Sequence, residues 1–540
     1  MNNTNYHGKI LFMKKLSKVG IILSFILTTC FLFGYSIKKF HVIDSLFYKK
    51  NIIKTFFAFI ILLVLIYILL IIIFKLLDKI SNNKEKGNKL YNFIFEKNPL
   101  LITFIIFFIF SIPFIIFYYP GPVHWDGLQE LNYFYKIDAF SNHHPVFPTL
   151  IMGLSMKLGR LIYNDNLGIF LYTFPQLMFS CFTFAYILKF MKDIKASKII
   201  RVLTFIFFLF NPVWYVNGYT IVKDTYYYLF FIWFLIYYYK FYLDNSKKNT
   251  YLLFLFSMLV ILFRNNGIYI VIASLIPYLF KKNLRKKAVS FILIFILFQF
   301  SYNKSLDYFK IQPSNIRETL SVPIQQTARY IKYYDKQLSK KERNYVENLY
   351  RMSIKEIKKK YQPELSDPVK FPWKVNDKKE LIEYFKFWFK CFKKHPKVYV
   401  DSFLENYYGY FYPLKKDYKD GVAWFIVVYN KRVNTGYFDL HYLKTFKTER
   451  NFITNFTNKL KVTKGIGLIY NTGVYTWVLL ILIGYTLYKK RYTNLIFSIP
   501  ILLTLAFCFL SPVNAYLRYM NPIIVTIPVY LAICLKKNNK

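Results

Sequence analysis

The chain has 540 residues, 55% of them hydrophobic and 21% aromatic, and carries 74 Lys and Arg against 28 Asp and Glu, a formal net charge of +46. That apolar content excludes a protein folded around one soluble core. Apolar stretches recur near the roughly 20 residues a helix needs to cross a bilayer, which predicts an all-α polytopic membrane protein rather than a barrel. In a soluble chain so much positive charge would indicate nucleic acid. Here the basic residues end the apolar stretches or fall in one long polar segment, so the expected partners are anionic membrane lipids and not nucleic acid.

At the N-terminus, "KKLSKVGIILSFILTTC" has the basic flank and apolar run of a signal peptide, but Thr29 stands where a small residue is needed for processing. An uncleaved first span is the reading. Further apolar segments follow near 52–77, 99–119, 167–190, 202–217, 225–243, 250–264, 267–281, 287–303, 467–488, 493–513 and 519–535, giving about twelve transmembrane helices. The basic loops "KISNNKEKGNK", "KDIKASKIIR", "KKNLRKK" and "KKR" place both termini in the cytoplasm of a cell that carries the protein in its plasma membrane. One loop runs against that rule, "IKKFHVIDSLFYKK", which the count puts outside despite four lysines. Residues 146–164 contain Lys157, Arg160 and two glycines and are read as a helix lying on the membrane surface, because a crossing there would push "KDIKASKIIR" outside.

Four parts result: 1–98, an N-terminal hairpin and cytoplasmic loop; 99–303, a transmembrane core with an outer loop at 120–166; 304–464, an extracytoplasmic, mainly helical domain; and 465–540, the C-terminal helices. The polar part is expected to hold helices in "SKKERNYVENLYRMSIKEIKKKY" and "DKKELIEYFKFWFKCFKKHP", both rich in helix formers. Of five cysteines, Cys30, Cys181, Cys508 and Cys534 fall in apolar runs and Cys391 does not; no spacing suggests a disulfide framework or zinc site. There is no repeat, phosphate loop or nucleotide fingerprint, which argues against an ATP-driven pump or a nucleotide-sugar enzyme.

Chemistry-bearing residues gather at one end of the apolar segments. In "YYPGPVHWDGLQELNYFYKIDAFSNHHP" the Pro-Gly-Pro of residues 120–122 ends a span, and Asp126 and Glu130, four apart, share a face if the following stretch is helical. His143 and His144 precede Pro145, which favours extended backbone and sends the two imidazoles to different sides. Lys223 and Asp224 stand at the mouth of one span, Arg264 with Asn265 and Asn266 between two others, and Arg518 at the start of the last. Ionisable groups near bilayer depth cost roughly 2.5–3.5 kcal/mol on insertion scales and are functional candidates by default. Solvated acids and snorkelling cations are the bland alternative. In "SVPIQQTARYIK", Ser321 is a helix cap, and Gln325, Gln326 and Arg329 read equally as the lining of an acceptor groove or as a packing face.

Taken together, "YYPGPVHWDGLQ", "SNHHPVFPTL", "VKDTYYYLF", "RNNGIY" and "LSVPIQQTARYIK" resemble the GT-C superfamily of polyprenyl-phosphate-dependent glycosyltransferases, within a bacterial family of multispanning proteins grouped with it, over about residues 99–535. The resemblance implies a GT-C-like fold, with Asp126 as the catalytic aspartate where donor and acceptor meet. It also implies a polyprenyl-phosphate-linked sugar as donor and a cell-envelope glycan or lipid as acceptor. Lys223, Arg264 or Arg518 would hold the lipid phosphate, and His143 and His144 a hydroxyl or phosphate. A divalent cation, Mg or Mn, would fall to Asp126, Glu130 or Asp224, although the second acid of metal-dependent members is not evident. A flippase for lipid-linked glycans and a non-catalytic scaffold are the competing classes; polar residues collected at one face favour the enzyme.

Overall fold

The computed structural model describes residues 3–82, 87–414 and 437–536, with side chains from Lys18 onward. Parts of the basic loop "KISNNKEKGNK" and of the 304–464 region lie outside the described residues. Among the described residues the regular structure is helical, and extended pairing is limited to isolated bridges such as Val123 with Ile221 and Ser141 with Gln312.

Every apolar segment read from the sequence falls on helix. Asn3–Phe40, Lys49–Asn82, Pro99–Phe117 and Asp165–Asp193 carry the first four. The fifth is broken into Lys198–Leu209 and Pro212–Tyr219, bent by 55°, where Pro212 removes a backbone donor and Asn211 caps the second piece. Lys223–Leu243, Lys247–Phe263, Gly267–Leu275, Lys282–Tyr308, Thr472–Tyr488, Ile499–Cys508 and Leu517–Leu535 carry the others. Among the described residues six helices are each long and apolar enough to cross a membrane, or up to seven if the bent pair is one span. The count of about twelve is therefore larger than length and composition support alone: Gly267–Phe280, Thr472–Tyr488 and Tyr492–Cys508 are apolar but shorter.

At the centre stands Lys223–Leu243, buried along nearly its whole length against Lys247–Phe263, Leu517–Leu535 and Asp165–Asp193. Its first two residues, Lys223 and Asp224, emerge at the end where the chain enters Leu517–Leu535 and leaves Lys247–Phe263. Three helix ends thus deliver Lys223, Asp224, Arg264 and Arg518 to one place.

Residues 146–164 do form a helix, Val146–Ile162. Met152, Met156 and Gly159 face inward, and a Cβ on Gly159 would come within 2.0 Å of the Gly168 nitrogen, so the backbones touch there because neither residue has a side chain. Leu150, Leu154, Leu158 and Leu161 are exposed on the other face.

The polar region has its own core, in which Ile324, Tyr330, Tyr350, Trp373 and Tyr384 pack together. The expected helices form, and one expectation, a cap at Ser321, is corrected here. The stretch 339–361 is two helices, Lys340–Tyr350 and Ile354–Lys360, separated by Arg351 in the left-handed conformation (φ 49°) and each started by a Ser/Glu capping box. Ser321 is the first residue of Ser321–Tyr334 and makes no capping bond. Cys391 is buried, only 2% exposed, within Lys378–Lys394.

Candidate functional site

Asp126 and Glu130 lie on the helix Trp125–Phe134, whose start is fixed by a residue that sequence reasoning passed over: His124 accepts the Asp126 N–H at Nδ1, 3.1 Å. Histidine is not a favoured cap, so nothing in the local pattern pointed to it. Gly127 makes the approach to the central helix possible, since a Cβ would sit 2.3 Å from the Ile221 carbonyl oxygen.

Both acids reach Lys223. Its Nζ lies 3.3 Å from Asp126 Oδ2, 3.1 Å from Glu130 Oε1 and 2.8 Å from His144 Nδ1. Arg518 closes the other side, donating to Asp126 Oδ2 through Nη2, lying 2.9 Å from Asp224 Oδ2 through Nε and 3.2 Å from His124 Nε2 through Nη1. Arg264 Nη1 stands 3.6 Å from Asp224 Oδ1, with its guanidinium over the rings of Tyr227 and Tyr519. Three carboxylates and three cations therefore form one network.

Exposure separates the members. The Glu130 side chain is fully buried, those of Asp224, Lys223 and Arg518 nearly so, and that of Asp126 is 23% exposed. Asp126 opens on a cleft of about 1020 Å³ shared with Trp125, Gln129, His143, His144, Arg317 and Glu318. Burial alone would raise its pKa, but Arg518 and Lys223 outweigh burial and hold the carboxyl well below the ordinary range. Glu130 goes the other way: burial pushes it up to about 7, with Lys223 opposing only in part. Burial, reinforced by Arg518, lowers His124 to about 3, and burial followed by Lys223 takes His144 well below its usual value. The neutral form is favoured at His124 and His144.

His143 is exposed and His144 buried, but His143 lies in a turn and His144 in a bend rather than in the extended backbone expected before Pro145, and their rings are 4.6 Å apart. Gln325, Gln326 and Arg329 are not brought to this cleft. Gln325 donates to the Gln362 carbonyl (2.5 Å) and Gln326 to that of Tyr399 (3.1 Å), while Arg329 is buried against Glu405, with Asp401 3.9 Å away. Arg317 and Glu318, which do line the cleft, escaped sequence reasoning because charge in a polar stretch carries no contrast.

The three acids named for a divalent cation are engaged with cations of the chain. Asp126, Glu130 and Asp224 already point at Lys223, Arg264 and Arg518, and among the described residues no group of three or more His, Cys, Asp or Glu is placed to hold a metal ion.

Comparison with known proteins gives a match of residues 135–540 to a family of unknown function, DUF6020. The matched part contains His144, Lys223, Asp224, Arg264 and Arg518 and begins after Glu130. No curated protein and no solved structure matches.

Proposed function

We propose that this chain, which belongs to the family of unknown function DUF6020, is a GT-C-type membrane glycosyltransferase that moves a sugar from a polyprenyl-phosphate carrier to a cell-envelope glycan or lipid-linked acceptor. In this reading about twelve helices cross the plasma membrane, both termini are cytoplasmic, and the cleft opens on the outer face. The observation that carries it is Asp126: of the three carboxylates in the network it alone is partly exposed, and it is exposed into a cleft.

The acceptor hydroxyl attacks the anomeric carbon, the bond from that carbon to the phosphate oxygen breaks with its electron pair going to the phosphate, and the hydroxyl proton must be taken up. Asp126, ionised and weakly basic, orients the hydroxyl and receives the proton late in the step. As it does so, the positive charge of Lys223 and Arg518 is no longer matched at Asp126 and becomes available to the departing phosphate. The cations that sequence reasoning assigned to the phosphate thus act in this reading from their places behind the carboxylate.

Asp126→Asn in purified protein, assayed with a polyprenyl-phosphate-linked sugar, should lose transfer at normal abundance. Transfer at the parent rate would remove the enzyme reading. The broken helix pair at residues 198–219 favours one other class, a flippase, since interrupted helices serve transport. A flippase variant would leave lipid-linked glycan accumulated on the inner face. Because Cys391 is buried, the orientation is best tested with cysteines introduced on the exposed surface of the polar region.

A further inference from the structure

Resting on the glycosyltransferase reading, the composition of the cleft narrows what it can accept. One wall is the loop helix with Trp125, Asp126 and Gln129; a second comes from the segment 312–318 of the polar region. That segment is tied to the loop by Asn142 N donating to Gln312 O (2.7 Å) and Gln312 N to Phe140 O (2.9 Å). Its acid, Glu318, accepts from Lys370 Nζ at 2.7 Å and from Arg317 Nε at 3.4 Å. Lys370 is only 2% exposed and also lies 2.8 Å from Asp367. A lysine buried so deeply is tolerated only because carboxylates match it, and the consequence is a Glu318 carboxylate fixed in place at the cleft wall. Burial would raise its pKa, but Lys370 prevails and keeps it below the ordinary range.

The third acid of the lining, Asp138, is bracketed by the amides of Gln129 (2.8 Å) and Asn132 (3.1 Å). Among the described residues Arg317 is the lining's one guanidinium, and it is engaged with Glu318 and the Phe371 carbonyl. Carboxylates that accept hydrogen bonds in pairs, amides and a partly exposed indole (Trp125 is 39% exposed) are the groups that bind a polyhydroxyl ring through its hydroxyls and its apolar face.

We propose that Glu318 is a sugar-hydroxyl-binding residue in the same cleft as Asp126, and that, apart from the carrier phosphate at the anomeric carbon, which faces Lys223 and Arg518, the cleft takes a sugar ring with uncharged or amino substituents and refuses one bearing a carboxylate or phosphate elsewhere on the ring. Like charge facing like charge in a partly desolvated cleft is the source of the refusal.

The test uses the full-length protein in lipid nanodiscs, with methyl glucoside, glucosamine, glucuronate and glucose 6-phosphate as probes and tryptophan fluorescence as the readout. Methyl glucoside and glucosamine should give a saturable change that Trp125→Phe removes, and the two anionic sugars should bind about tenfold or more weakly. Glu318→Gln should bring the anionic probes to within about threefold of the neutral one; Asp367 still matches Lys370 in that variant. Asp138→Asn, which leaves Lys370 untouched, should act in the same direction. Equal or tighter binding of glucuronate or glucose 6-phosphate by the parent, no saturable change with any probe, or unchanged discrimination in both variants would overturn the inference. Charge-indifferent binding alongside loss of transfer in Asp126→Asn sinks this inference alone; charge discrimination alongside full transfer by Asp126→Asn sinks the enzyme reading alone.

Discussion

Two clusters of buried charge are built from similar parts and face different things. Around Arg518 the guanidinium joins Asp126 and Asp224 where three long helices end, and the cluster opens through Asp126 into a cleft. Around Arg329 a guanidinium 3% exposed pairs with Glu405, has Asp401 nearby, and donates to the His41 carbonyl at 2.9 Å. His41 in turn bonds Glu405 through Nδ1 at 2.9 Å, so this second cluster fastens the polar region to the end of the first helix. A buried arginine between two carboxylates is therefore not the mark of a site; the mark is a member that remains open to a ligand.

The largest effect that would break the comparison lies in the closed cluster. Arg329→Ala leaves Glu405 and Asp401 buried without their cation, and removing one partner of such a group costs about 3–5 kcal/mol. The expected result is a fall in unfolding temperature and yield. An Arg329→Ala protein of parent stability but lost sugar transfer would move this cluster into the site.

Asp126→Asn should do the reverse. Lys223 keeps Glu130 at 3.1 Å and Arg518 keeps Asp224 at 2.9 Å, so each cation retains an acidic partner and the fold persists. Transfer should fall by about a thousandfold, within the range general-base contributions span. Measured on one preparation, the pair of variants separates structural from chemical charge. A thermal shift as large for Asp126→Asn as for Arg329→Ala would erase the distinction.

The open cluster was legible in the sequence, and the closed one was not told apart from it. Lys223, Asp224, Arg264 and Arg518 stand out because an ionisable group at the end of an apolar run is costly, and the i, i+4 spacing of Asp126 and Glu130 fixes their common face once the loop is helical. Gln325, Gln326 and Arg329 have the same spacing logic, but a polar helical face looks alike whether it meets a ligand or another part of the chain. Arg317 and Glu318 sit in a stretch where every neighbour is polar, and only the long-range bridge of Gln312 to Ser141 brings them to the cleft. The helical class followed from the length of the apolar stretches; the broken fifth segment and the left-handed Arg351 depended on local backbone that length and composition do not report.

Within the open cluster, Glu130 gives the next effect, and its sign is set by burial. With a folded pKa raised from 4.5 to about 7, Glu130 keeps its proton in the folded chain where the unfolded chain has lost it. Its contribution is fully present below about pH 4.5 and is lost as pH rises through 7, a change of about 3 kcal/mol across that window. The unfolding temperature of the parent should drop over that interval, and that of Glu130→Gln, which carries no titrating proton, should drop less. Parallel profiles for the two proteins would mean that Glu130 is already ionised in the fold.

The smallest effect belongs to Arg264. It touches Asp224 only at 3.6 Å, whereas Arg518 approaches the same carboxylate at 2.9 Å, and its guanidinium is held chiefly between Tyr227 and Tyr519. Arg264→Gln therefore leaves Asp224 with a cation and removes one long ion pair and two cation–π contacts, a loss of about 1–2 kcal/mol. Arg518→Gln removes the guanidinium nearest both Asp126 and Asp224 and should cost several times as much, and it alone should also raise the pH at which transfer begins, because Asp126 is then held ionised by Lys223 only. The pH–rate profile decides between them. If Arg264→Gln shifts that profile and Arg518→Gln does not, the two arginines have exchanged roles, and the charge that governs Asp126 comes from the far side of Asp224.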